Sequence, residues 1–100
     1  MVFSDWAFYT TKYVEVNDVY GVYQLSISRK DESQITYIGN GKLRSELLKH
    51  ILGDKCRSPS IYFRYEITYD DEKAEELKKV LLREYIERYG RLPKCNSDTV

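Results

Sequence analysis

Between residues 60 and 90 the apolar pattern changes its period once, and this change constrains the fold more than any other feature of the chain. Residues 60–68, Ser-Ile-Tyr-Phe-Arg-Tyr-Glu-Ile-Thr, alternate cleanly and send Ile61, Phe63, Tyr65 and Ile67 to one face of a strand. Asp70, Asp71 and Glu72 follow at once, placing negative charge where a helix N-terminus is partially positive. The spacing predicts a helix to about Tyr89, with Gly90 just past its end and Pro93 blocking any continuation. Such a helix buries its apolar stripe against a sheet.

The rest of that sheet lies upstream. Residues 20–28 read as a strand with Tyr23, Leu25 and Ile27 on one face. "SRKDES" is a turn, and residues 34–39 return as the second arm of a hairpin, expected to stop at Gly39 and turn on Gly41. Leu43, Leu47, Leu48 and Ile51 fit a helix over residues 43–52, which Gly53 ends, and "DKCRSPS" is a loop. Residues 12–19 alternate weakly and fit an edge strand. The expected fold is α+β, of order β-β-α-β-α: a small antiparallel sheet of about three strands with helices packed on it.

A chain of 100 residues is one domain, residues 1–100, and buries roughly two-thirds of its unfolded surface without needing a disulfide or metal staple. Its 16 basic and 16 acidic residues give no bulk attraction to nucleic acid, so any such binding rests on local patches. One patch is available: Lys42, Arg44, Lys49, Lys55 and Arg57 gather around the first long helix, with Glu46 and Asp54 interspersed. The 10 tyrosines, each a large ring with a hydroxyl that seeks a partner, suit a core rim or a binding face. Cys56 and Cys95 lack the spacing of a zinc or redox motif and are expected to be free thiols in a reducing cytoplasm. The N-terminus has Asp5 early and no signal-peptide core, and no run reaches membrane-spanning length, so the expected setting is soluble and cytoplasmic.

Gly21-Val22-Tyr23 and Tyr37-Ile38-Gly39, on neighbouring strands, resemble the paired tripeptides of the GIY-YIG nuclease domain. Further matches follow in the family's order: a helix with His50, then a strand, then a long helix with Glu84, then Pro93 and Asn96 in "EYIERYGRLPKCN". The resemblance spans residues 19–96. It implies metal-dependent phosphodiester hydrolysis of nucleic acid, most naturally DNA, with one Mg²⁺ or Mn²⁺ held by Glu84. It further implies that Tyr23 orients or deprotonates the attacking water and Tyr37 shapes the phosphate site. His50 would donate to the phosphate or leaving group, and Asn96 would hold the geometry, with Gly21 and Gly39 as structural glycines. The residues alone allow plainer readings. On a helical wheel Glu84 falls between Leu77 and Val80, on the flank of the apolar stripe, where it would either hold a cation or pair with Arg88. Tyr23 and Tyr37 could equally be cross-strand neighbours, Asn96 a loop cap, and His50 a helix C-terminal residue.

One departure bears on activity. The family carries an arginine one turn before the histidine, on the same face, and in "YIGNGKLRSELLKH" that position is Glu46. Arg44 lies six residues before His50, about 120° around the helix, and would have to reach the phosphate from a displaced position. Three readings therefore stand: a nuclease in which Arg44 or a nearby lysine substitutes for the clamp, a catalytically weakened relative that binds nucleic acid or protein with the same surface, or a small α+β domain of unrelated function in which the tripeptides occur by chance.

Overall fold

A computed structural model describes residues 3–53 and 60–97. Four antiparallel strands form one sheet in the order β1-β4-β2-β3, where β1 is Ala7–Phe8, β2 Tyr20–Ser26, β3 Ile35–Lys42 and β4 Tyr62–Ile67. The helices are α1 Tyr9–Lys12, α2 Leu43–Gly53, α3 Asp71–Tyr89 and α4 Lys94–Ser97. From β2 to α3 the order is β-β-α-β-α, and a fourth strand, β1, precedes this core. Among the described residues no helix is long and apolar enough to cross a membrane.

β2 is a central strand with neighbours on both sides and helices over both faces. Its odd residues, Tyr23 and Leu25, pack with Leu43 and Leu47 of α2 and with Tyr9 and Phe63. Its even residue Val22 packs with Ile35, Ile38, Leu81 and Tyr85, which seats α3 on the opposite face. A strand buried on both sides has no solvated face to be polar. Accordingly Gln24 and Ser26 are buried and satisfied: Gln24 accepts from Arg64, and Ser26 Oγ donates to the Ser28 carbonyl.

α3 begins and ends where its sequence requires. The Asp70 carboxylate accepts from the N–H groups of Glu72 and Lys73 at 2.8 and 3.3 Å, and Gly90 closes the helix at φ 72° with its N–H on the Ile86 carbonyl. Tyr69, just before the cap, has φ 60°, a left-handed conformation unusual for an aromatic residue.

Several expectations are corrected. Residues 12–19 form no strand: α1 runs into a 3₁₀ turn at Tyr13–Glu15, closed by Val16 N–H on the Tyr13 carbonyl. The edge next to β4 is instead β1, whose two residues are too few to show a period of two. β3 does not stop at Gly39; it continues to Lys42, because Gly41 and Lys42 still pair with Gly21 and Tyr20. Ile27 and Ile61 fall just outside their strands and are 40% and 48% exposed. Cys95 is buried and disulfide-bonded, so two free thiols are not what the structure contains. Cys56, with most of the expected loop and with Lys55 and Arg57, lies outside the described residues.

Candidate functional site

The two glycine–tyrosine tripeptides meet because of strand register. Tyr23 lies directly opposite Gly39, and Leu25 opposite Tyr37, so both tyrosines project to the α2 face. The Tyr23 ring crosses over Gly39 closely: a Cβ there would lie 2.6 Å from the Tyr23 Cζ and hydroxyl and 2.6 Å from the Tyr37 ring. Gly21 makes room in the same way for the first residue of α2, since its Cβ would meet the Glu66 carbonyl at 2.5 Å and the Leu43 side chain at 2.8 Å. The motif glycines are thus seats, one for a tyrosine and one for a helix.

α2 completes the cluster. Tyr23, fully buried, shares a 2.7 Å hydrogen bond between its hydroxyl and His50 Nε2. Tyr37, half-buried, packs edge-on against the imidazole with ring centres 4.8 Å apart, and lies 6.0 Å from the Tyr23 ring. Either the phenol or the imidazole can be the donor in this bond, according to the histidine tautomer. Lys49 sits beside this cluster, with its ammonium 2.8 Å from the Glu46 carboxylate. The hydrogen bond that Lys49 donates to Glu46 is the main reason its pKa is raised, with a smaller contribution from Tyr37. The Glu46 side chain folds against Gly41, where a Cβ would stand 2.8 Å from its Cγ.

The start of α2 is tied to the sheet by Asp18, whose two carboxylate oxygens accept from Ser45 N–H at 2.9 Å and Ser45 Oγ at 2.7 Å. These bonds, the backbone one foremost, hold its pKa below the ordinary carboxylate value, and Arg44 and Lys42 add smaller attractions. Arg44 itself is exposed on the first turn.

The structure brings Tyr23, Tyr37, His50, Gly21 and Gly39 together. It does not bring Glu84 to them. Glu84 is exposed on α3 and borders a cavity whose floor is Ile35, Ile38 and Leu81, on the other face of the sheet. No hydrogen bond or ion pair joins it to any described residue; Arg88, its neighbour one turn on, pairs with Glu32 instead. The helical wheel identified the flank of α3 on which Glu84 lies, but not the face of the sheet that α3 covers. Among the described residues, no group of three His, Cys, Asp or Glu side chains converges to hold a metal. Mg²⁺ takes carboxylate oxygens and waters, and on the tyrosine face the carboxylate of Glu46 is already paired with Lys49. The residues present do not fit the single-ion site that the resemblance implies.

Asn96 has a definite position. Its Oδ1 accepts from Ile38 N–H at 2.9 Å and its Nδ2 donates to the Ile38 carbonyl at 3.0 Å, so one side-chain amide pairs with the outer edge of β3 like a peptide unit. This is an anchor at the middle residue of the second tripeptide. Asp18 escaped the sequence reading as a site residue, and only proximity in the fold identifies it; Lys49 enters that reading as a member of the basic patch, and the fold places it beside the cluster.

The family model described as Domain of unknown function (DUF7508) matches residues 4–88. No curated protein and no solved structure matches the chain.

Proposed function

We propose that this chain, which belongs to the DUF7508 family, is a GIY-YIG-like domain that binds nucleic acid, most naturally DNA, and lacks the full cleavage apparatus that the GIY-YIG resemblance implies. The observation that supports this reading is the built cluster of Tyr23, Tyr37 and His50, in which register, Gly39 and a 2.7 Å hydrogen bond fix three side chains of the resemblance at once. Half-exposed Tyr37 offers ring surface to a strand, while Lys49, Lys42 and Arg44 supply exposed cations around it. Glu84 on the opposite face and Glu46 in the arginine position argue against cleavage. Tyr23, buried and engaged with His50, orients the cluster and does not meet solvent.

The test is fluorescence anisotropy with single-stranded, duplex and branched DNA, run beside a nicking assay in Mg²⁺ and Mn²⁺. Salt-dependent binding with no cleavage is the expected result. Lys49→Ala should reduce the salt slope by about one, as for one lost phosphate contact. Glu46→Arg should tighten binding at low salt, because it replaces a carboxylate with a cation and releases Lys49. Absence of binding to every substrate would overturn the proposal.

The Tyr23–His50 hydrogen bond favours the second reading, a nuclease in which the imidazole accepts the phenol proton. That reading requires metal-dependent nicking that Tyr23→Phe abolishes and that Arg44→Ala slows by at least about a hundredfold.

A further inference from the structure

The face of the sheet under α3 holds a groove that the tyrosine–histidine cluster does not use. Above its floor of Ile35, Ile38 and Leu81 lies a cavity of about 580 Å³, and a second of about 530 Å³ lies by the turn between β2 and β3. Each falls within the range of small-molecule sites, roughly 300–1,000 Å³. Glu32, Arg64 and Tyr89 line both.

Arg64 is held rigidly where the two meet its side chain. The rings of Phe3 and Trp6 have their centres 4.7 and 4.4 Å from the guanidinium carbon. Its Nε donates to the buried Gln24 Oε1 at 2.6 Å, and the side chain is only 18% exposed. Nη2 donates to Glu32 Oε1 at 3.0 Å, whereas Nη1 has no acceptor among the described residues. A largely desolvated guanidinium with unused donors stands ready for an anion, and its planar fork matches two oxygens at once.

Glu32 resembles a resident substitute for such an anion. Its second oxygen accepts from Arg88 Nη1 at 2.9 Å, so one carboxylate bridges guanidiniums from β4 and α3. It belongs to a short 3₁₀ turn and is 45% exposed, so it can swing out without disturbing the core. Phe3 and Tyr89 put aromatic surface next to the two arginines. Glu84, with no partner among the described residues, rims the same cavity and offers acceptors to sugar hydroxyls. An anion flanked by rings and hydroxyl acceptors is the chemistry of a nucleotide, and inorganic phosphate would use only part of it.

We propose that this groove binds a nucleotide bearing a monophosphate, with the phosphate displacing Glu32 from between Arg64 and Arg88 and the base lying against Phe3 and Tyr89. The site is on the opposite face from the tyrosine–histidine cluster and stands or falls apart from it.

Trp6 is the only tryptophan and lies over Arg64, so its fluorescence reports occupancy. The full chain is titrated with AMP, with adenosine, and with a tetranucleotide carrying or lacking a 5′-phosphate. AMP should give a saturable change, with adenosine at least about tenfold weaker, the scale of a charge-assisted pair. Arg88→Gln, at an exposed position, should weaken AMP by at least about tenfold, and Glu32→Gln should tighten it. Equal affinity for AMP and the 5′-phosphorylated tetranucleotide identifies strand ends as ligands, and preference for AMP identifies the free nucleotide; both uphold the site. No saturable change in the wild type and in natively folded Glu32→Gln would overturn the proposal, as would AMP affinity unmoved by Arg88→Gln or lost in Lys49→Ala on the other face.

Discussion

At Gly39 the close approach of Tyr23 leaves no room for a methyl group, so Gly39→Ala must displace either the phenol or β3. Overpacking of this kind costs about 1–3 kcal/mol, and the Tyr23–His50 hydrogen bond should be lost with it, which chemical denaturation together with the NMR chemical shifts of the two rings would detect. Tyr23→Phe keeps the ring and removes only the hydroxyl, leaving a buried His50 Nε2 without its bond to residue 23; a loss of about 1–3 kcal/mol is expected in denaturant titrations. Tyr69 is the converse case. It is 75% exposed and held at φ 60°, so it contributes little burial while adopting a conformation that disfavours its side chain. Asn tolerates that region, and Tyr69→Asn should raise stability by roughly 0.5–1 kcal/mol. A decrease would mean that the ring makes a contact stronger than its exposure suggests.

Two elements depend on single side chains. The start of α2 is tied by Asp18, whose folded pKa is depressed by the Ser45 hydrogen bonds. The sign follows from linkage. Its stabilisation is present above the ordinary carboxylate range and is lost as pH falls through the lower folded value. Melting curves of wild type and Asp18→Asn should therefore differ near neutral pH and converge in acid; a constant difference would contradict this account. Asn96 does the same for β3, and Asn96→Ala should destabilise by roughly 2 kcal/mol as Ile38 N–H and C=O lose their partner. The loss should be sharpest in hydrogen exchange at the Ile38 amide. The elements that such side chains anchor were legible where a period ran long enough. The alternation of residues 60–68 and the caps around α3 located β4 and α3, and the helical spacing from Leu43 located α2. β1 has two residues and offers no period. Gly39 read as a stop because glycine is depleted in strands; its actual role, a seat for Tyr23, depends on a cross-strand partner.

At the scale of the molecule, the feature least legible in the sequence is also the one that separates its two candidate sites. Alternation along β2 tells which residues share a face, but not which helix covers it, so Glu84 could be placed on its helix but not relative to the tyrosines. The two covered faces hold two different sets of chemistry: phenol, imidazole and lysine under α2, and a guanidinium pair with aromatic rings under α3. The sheet's outer edges are protected differently. β1 is too short to recruit another strand, whereas β3 is eight residues long and relies on Asn96 at its centre. Asn96 lies 58 residues after Ile38 in the chain. On a translating ribosome, at about 5–20 residues per second, the hairpin that exposes Ile38 waits roughly 3–12 s for the amide that will cover it. For that interval the nascent chain presents an open strand edge, and neighbouring nascent copies on one message present the same edge at the same stage. Synthesis rate, rather than the stability of the finished domain, then governs how much of it escapes pairing with its own copies.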